Sequence, residues 1–276
     1  MQPPKMTLFF WSQRIERAKQ LTGTYPFASE ILNFYQEIAA FQKELYESLV
    51  THNSTQKQNA YKAIASTNFE PTFVLSWFPR LLELVRRVGP VKVAQTADAL
   101  AQKDSAQWKN LIESCWNHQD FAGGESDSAE PFLARALLQP CAELLAAQTD
   151  PSWPGYEGYI CPFCNHKPQM GVLRPEGYGA RRSLVCSLCL TEWSCRRILC
   201  PSCEEDSSDR LTVYTGDQFE HVRIEACETC KAYIKTIDLT KNGLAVPIVD
   251  EIATSPLDLW ARAEGYQKLT FNLLGL

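Results

Sequence analysis

Eight of the eleven cysteines in this 276-residue chain form four Cys-x-x-Cys pairs: Cys161/Cys164, Cys186/Cys189, Cys200/Cys203 and Cys227/Cys230. A Cys-x-x-Cys turn sets two thiolates on one side of a metal ion, and a second such turn completes a tetrahedron. The first two pairs are separated by 21 residues and the last two by 23, spacings that suit a four-cysteine site with a short hairpin between its turns. From Cys161 to Cys200 is 39 residues and from Cys186 to Cys227 is 41, so one unit occurs twice. A crossed pairing also satisfies the spacing, but duplication favours each copy closing its own site. Site one is then Cys161, Cys164, Cys186 and Cys189, and site two Cys200, Cys203, Cys227 and Cys230.

Two other chemistries compete for these thiols. Disulfides need an oxidising compartment. Redox-active dithiols need a helix N-terminus behind each pair to lower a thiol pKa, whereas these turns are flanked by strand-forming residues. A four-thiolate site is coordinatively closed, which suits structure or electron storage rather than water activation. Two metal ions are therefore expected, one per site, with zinc or iron as the occupant, since a tetrahedral four-sulfur set accepts either.

Other chemistry is sparse. Gly177-Tyr178-Gly179 lacks the third glycine of a dinucleotide loop, and no phosphate-binding loop or zinc-protease helix motif occurs. Cys195 reads as a partly buried strand residue rather than a reactive thiol, and Cys115 and Cys141 as core residues of helices. His166 and His221 could each tune a thiolate, but with two full cysteine sets they read as surface polar residues; His52 and His118 suit helix ends. Around site one lies a basic cluster. Arg174, Arg181, Arg182, Arg196 and Arg197, together with Glu192 and Trp193, are the candidate partner-binding residues. The cluster would serve an acidic partner segment or RNA; equally, its arginines would offset the net charge of a four-thiolate site.

Elements must hold these residues in place. Residues 1–148 read as a helical domain. Ile31, Phe34, Tyr35, Ile38, Phe41, Leu45 and Leu49 recur at helical spacing, with Glu30, Gln36, Lys43 and Glu47 on the other face. Further helices are expected through Phe73 to Val88, kinked or restarted at Pro79, over 91–101, over 106–116 with a cap at Asp104 or Ser105, and through Phe132 to Leu145 across Pro140. The FAGGESDS stretch is a turn-forming loop and 149–158 a Pro/Gly-rich linker. Residues 159–276 read as a double four-cysteine domain: unit one 159–198, unit two 199–240 and a C-terminal segment 241–276. Strands are expected at 170–173, 182–185, 211–214, 221–224, 233–239 and 244–249, with a short last helix after Ser255-Pro256. The fold class is α+β: an all-α amino-terminal domain followed by two tandem rubredoxin-like or zinc-ribbon-like β units.

A net charge of −5 argues against a general nucleic-acid or membrane-surface binder. The segment MQPPKMTLFFWSQRIERAKQ has no long apolar stretch, and no run of eighteen apolar residues could cross a bilayer. A cytoplasmic protein with no membrane insertion is expected.

The segments CPFC, RRSLVCSLCLTEW, CPSC and EACETC, the tail DEIATSPLDLWARAEGY with NLLG, and the helical ARALLQPCAELLA resemble the formate dehydrogenase accessory protein family of FdhE type. Glu192-Trp193 and Glu264-Gly265-Tyr266 make the match specific, while Ser194-Cys195 stands where the family carries a histidine. The resemblance implies a cytoplasmic maturation factor, chaperone-like rather than enzymatic. It would bind the formate dehydrogenase catalytic subunit before assembly and carry iron at the eight paired cysteines. The alternatives are a nucleic-acid-binding zinc ribbon and an iron-dependent redox or thiol protein.

Overall fold

The structure is a computed structural model and describes residues 4–55, 71–117, 129–149 and 156–276. His118, the FAGGESDS segment and most of 149–158 lie outside these residues. Two compact units are distinguished: Met1–Ile15 with Asn33–Pro151, and Glu16–Leu32 with Ser152–Leu276.

The first unit is helical. It contains parts of α1 (Pro4–Thr24) and α2 (Ser29–Thr55), then α3 (Thr72–Leu75), α4 (Phe78–Val88), α5 (Val91–Ala101), α6 (Ser105–Trp116) and α7 (Glu130–Ala147). Pro79 falls in the first turn of α4, where a missing N–H costs nothing, so the helix restarts there rather than kinks. Asp104 caps α6 in a reciprocal capping box with Gln107. Leu81, Leu82 and Val85 of α4 join Ile38 and Leu45 of α2 and Leu133 and Leu137 of α7 among the buried side chains. One ion pair is buried among them: Arg14 donates two hydrogen bonds to the Glu143 carboxylate, at 2.9 and 2.8 Å. Cys115 and Cys141 are core residues, and burial pushes their thiols up to about 11 and about 12.

The second unit is built on β1 (Pro168–Glu176), β2 (Gly179–Cys186), β3 (Glu192–Ser194), β4 (Leu211–Thr215), β5 (Val222–Cys227), β6 (Ala232–Asp238) and β7 (Gln267–Lys268), with α8 (Pro247–Ala253) and α9 (Ser255–Ala263). The repeat is visible in the order of elements. Each copy runs cysteine pair, antiparallel hairpin, cysteine pair, then a third strand against the hairpin's second strand: β1–β2 with β3, and β4–β5 with β6. Gly177, at φ +56°, makes the tight turn between β1 and β2.

The two copies do not stand apart. β1 pairs parallel with β6, and the strand order is β3-β2-β1-β6-β5-β4, with β7 also against β6. One face of this joint sheet carries Val172, Val185, Val222 and Ile237, covered by Ile248 of α8 and Leu257 of α9. Ile224, Ala226 and Tyr233 continue it beneath Ala261. By strand parity and register, Arg182, Gly171, Thr236, Ile234, Glu225 and Val213 belong to the opposite face.

The expected strand at 244–249 is replaced by the start of α8. Pro247 fixes the helical φ of the first turn, and the Asp250 carboxylate accepts the Val246 N–H at 2.8 Å. The carboxy-terminal segment therefore holds two short helices, α8 and α9. Residues 16–32 belong with the β unit: Tyr25 stacks edge-on to Phe219 at 5.3 Å, and Arg17 pairs with Asp250.

Candidate metal centres

All four cysteine pairs adopt the same turn. The residue after each second cysteine has positive φ: Asn165 at +60°, Leu190 at +54°, Glu204 at +63° and Lys231 at +57°. In three of the turns the N–H of that residue donates to the carbonyl of the first cysteine: Asn165 to Cys161, Glu204 to Cys200 and Lys231 to Cys227. The N–H of the first cysteine bonds in turn to the carbonyl five residues on, as from Cys161 to His166, Cys186 to Thr191 and Cys200 to Glu205. The chain thereby curls so that both thiols project to one side. Backbone N–H groups also reach the sulfurs: Leu188 to Cys186 Sγ at 3.3 Å and Ser202 to Cys200 Sγ at 3.4 Å. These donors favour thiolate.

The turns pair as the duplication predicts. Cys161, Cys164, Cys186 and Cys189 form one group and Cys200, Cys203, Cys227 and Cys230 another, each with its sulfurs within 4.8 Å of one another. In site one Cys161–Cys189, Cys164–Cys186 and Cys164–Cys189 have sulfurs 3.3 to 3.5 Å apart, and in site two Cys200–Cys230 and Cys203–Cys227 are 3.7 Å apart. A tetrahedral ion with metal–sulfur bonds of ~2.3 Å needs sulfur–sulfur edges of about 3.8 Å, so the residues fit such an ion. Each group can hold a metal. Burial pushes the Cys186 and Cys189 thiols well above their ordinary range, whereas hydrogen bonds with Cys164, Cys186 and Cys189 hold Cys161 below it. Four sulfurs in so small a volume share negative charge poorly without a cation.

The two centres differ in exposure. All four cysteines of site one are buried; in site two Cys203 and Cys230 are exposed. Site two is tied across its turns by Thr229, whose hydroxyl donates to Glu205 at 2.7 Å.

The remaining candidates separate into two groups. Arg182 is 3 % exposed and bonds Glu225, the Arg196 carbonyl and Cys195 Sγ, the last at 3.2 Å. Arg174 binds both oxygens of Glu192 at 2.7 Å. Trp193 is 5 % exposed, and its indole N–H donates to the Gly158 carbonyl at 2.9 Å. Arg181, Arg196 and Arg197 are exposed. Cys195 is buried beside Arg182 and belongs to neither four-sulfur group; burial raises its thiol pKa despite that guanidinium.

His221 is not a surface residue. It is buried, with Nε2 2.9 Å from Asp250, which also takes two hydrogen bonds from Arg17 at 3.0 and 2.6 Å. Beside this cluster, Lys235 is fully buried between Glu251 and Asp258, and Lys268 bridges the same two carboxylates. These acids come from DEIATSPLD, so the charged residues of the tail anchor α8 and α9 to the sheet. The available signal was three acids in an otherwise apolar helical stretch.

The FdhE central-domain profile matches residues 160–197 and the FdhE C-terminal-domain profile residues 198–274. A protein FdhE homolog of Aquifex aeolicus is 28 % identical, the alignment covering 98 % of each chain. One of Pectobacterium carotovorum is 26 % identical over 95 % of this chain and 86 % of the relative. The crystal structure of the FdhE protein from Pseudomonas aeruginosa superposes with a TM-score of 0.68 at 21 % identity, covering 99 % of this chain and 97 % of that one. That likeness supports the α+β fold, helices first and a sheet with two four-cysteine groups after them.

Proposed function

Because this chain belongs to the FdhE family, we propose that it is a cytoplasmic accessory protein that binds the catalytic subunit of formate dehydrogenase and assists its assembly. The observation that carries the reading is the closed coordination of both centres. Each group offers four sulfurs, leaving no open position for water or substrate, and the chemistry left to such a domain is to present a rigid surface. Cys161, Cys164, Cys186 and Cys189 would hold one ion and Cys200, Cys203, Cys227 and Cys230 the second. When bound, zinc supplies a structural cross-link and iron adds a one-electron couple.

The chain's own residues supply the rigidity. The four cysteine turns aim the sulfurs, the parallel pairing of β1 with β6 locks the two cysteine units into one sheet, and the Lys235–Glu251–Asp258–Lys268 cluster holds α8 and α9 against it. The metal-loaded chain should co-purify with the catalytic subunit of formate dehydrogenase made in the same cells, and cells lacking the chain should accumulate inactive subunit. Full formate dehydrogenase activity in cells without it would overturn the assignment.

A further inference from the structure

The tail motif Glu264-Gly265-Tyr266 plays no part in the cysteine spacing, yet it ends against the second metal centre. Gly265, at φ +84°, closes α9 in the left-handed position that glycine fits. The Gly265 N–H donates to the Arg262 carbonyl at 3.0 Å and the Tyr266 N–H to the Ala261 carbonyl at 2.9 Å, and Tyr266 packs with Ala261 in one buried cluster. This helix ending turns the chain back towards the sheet. The Gln267 N–H then donates to the Lys231 carbonyl at 2.8 Å, and β7 pairs with β6 from Ala232 onward. Tyr266, 5 % exposed, is thereby laid beside the turn Cys227-Glu228-Thr229-Cys230.

The Tyr266 hydroxyl donates to Glu228, inside that turn. Its oxygen lies 2.9 Å from the Tyr214 hydroxyl and accepts the Tyr214 proton, since its own goes to the carboxylate. Lys231 closes the group, 2.5 Å from Glu228 and 5.4 Å from the centre of the Tyr266 ring. The other copy shows what this arrangement replaces. Ser187 stands in unit one where Glu228 stands in unit two, and each donates its N–H to the carbonyl just before its hairpin, Ser187 to Lys167 at 3.1 Å and Glu228 to Arg210 at 2.8 Å. Around Ser187 the turn is packed away, with Ser187, Leu188 and Cys189 buried. Around Glu228 it is open, with Thr229 and Cys230 exposed. Burial holds the second turn of site one; at site two a carboxylate and the tail phenol take its place.

We propose that Tyr266 is a positioning residue for the second metal centre: by holding Glu228 it keeps the Cys227–Cys230 turn in ligating position and so sets how fast site two exchanges its ion. An ion leaves when the thiolates of one turn let go, and a turn anchored from outside returns to the ion before a competitor replaces it. A phenol bonded to a carboxylate is a strong anchor because the acceptor is charged, and a buried phenol that loses it has no water to turn to. The inference rests on the reading that Cys200, Cys203, Cys227 and Cys230 hold an ion, and is independent of which protein the chain serves.

The test loads the full chain with zinc, mixes it with excess chromogenic chelator by stopped flow and follows the fast phase, the one that Cys203→Ser removes. Tyr266→Phe keeps the ring and its packing and deletes only the hydroxyl. It should speed the fast phase about tenfold, the worth of a hydrogen bond to a charged group, and leave the slow phase unchanged. Glu228→Ala, at a half-buried turn position, should speed it about as much and the double variant no more, because both changes break one contact. Tyr233→Phe is the control. It removes a phenol–carboxylate bond of the same unit, to Asp258 at 2.8 Å, that does not touch the turn, and should lower the urea midpoint without altering the fast phase. An unchanged fast phase in Tyr266→Phe and Glu228→Ala, additive effects in the double variant, or equal acceleration by Tyr233→Phe overturns the proposal. Parent protein that takes up fewer than two zinc ions per chain removes the metal reading itself and this inference with it; two ions with any of those results removes this inference alone.

Discussion

Gly171 on β1 lies directly opposite Thr236 on β6, at the seam where the two cysteine units join, and a β-carbon at position 171 would stand 2.3 Å from the Thr236 hydroxyl. The approach is closer than real side chains tolerate, so glycine is required for the parallel pairing rather than for backbone freedom. Gly171→Ala should destabilise the β unit by about 1–3 kcal/mol, the range for overpacking a well-filled interior. Gly171→Ala combined with Thr236→Ser should not recover it, because the hydroxyl is the atom met first, whereas Thr236→Ala should recover part. Urea unfolding followed by near-ultraviolet dichroism measures this; an unshifted midpoint for Gly171→Ala would mean that the seam yields freely.

This seam joins segments that local sequence pattern does not connect. The eight cysteines, their sequential pairing and the hairpin inside each unit were legible, because metal-ligand spacing is local and the unit is duplicated. Which strand of one unit meets which strand of the other was not, since alternation gives faces and never neighbours. Lys235 was hidden for a related reason. In Ala-Tyr-Ile-Lys-Thr-Ile-Asp a lysine reads as solvent-facing, yet its face is the core, and the carboxylates that pair with it, Glu251 and Asp258, arrive from 16 and 23 residues later. Pro247 turned an alternating stretch into a helix start, and the membership of residues 16–32 in the β unit left no trace in local pattern.

The difference in exposure between the two centres predicts an order of metal loss. Cys203 and Cys230 are exposed, whereas every ligand of site one is buried, so a chelator reaches site two without opening the fold. Loaded protein mixed with excess chelator should release one ion quickly and the second at least about tenfold more slowly, governed by local opening. Cys203→Ser should abolish the fast phase, and Cys161→Ser should cost the slow ion together with order in β1 and β2, because structural metal binding is folding free energy. A single phase carrying both ions would show that the centres open together.

Left-handed backbone at the four turns gives a third expectation. Glu204 is exposed and sits at φ +63°, a region that costs an ordinary residue about 1–2 kcal/mol and glycine little. Glu204→Gly should therefore raise the thermal midpoint of the loaded protein and tighten site two, with a gain of about 1 kcal/mol. Glu204→Val should do the reverse by more, since a β-branched residue strains most there. Identical midpoints for the two variants would show that the turn relaxes out of the left-handed region.

Acid should act on the tail cluster in a definite direction. Burial alone would raise the Glu251 carboxyl, but Lys235 and Lys268 more than offset this and bring it from 4.5 down to about 2. Asp250 is likewise held low by His221 and Arg17 against its own burial. A carboxyl with a depressed folded pKa contributes stability that is present above its unfolded value and is lost as pH falls through the folded one, so the window here runs from about 4.5 towards 2. Glu251→Gln should cost about 3 kcal/mol at pH 7 by leaving Lys235 and Lys268 to share Asp258. Between pH 5 and pH 3 that variant should lose stability less steeply than the parent, since the titrating group is gone. Acid also protonates the thiolates, but it does so in both proteins, so the difference between their urea midpoints isolates the carboxylate. Parallel curves across that window would show that Glu251 does not keep its charge in the folded chain.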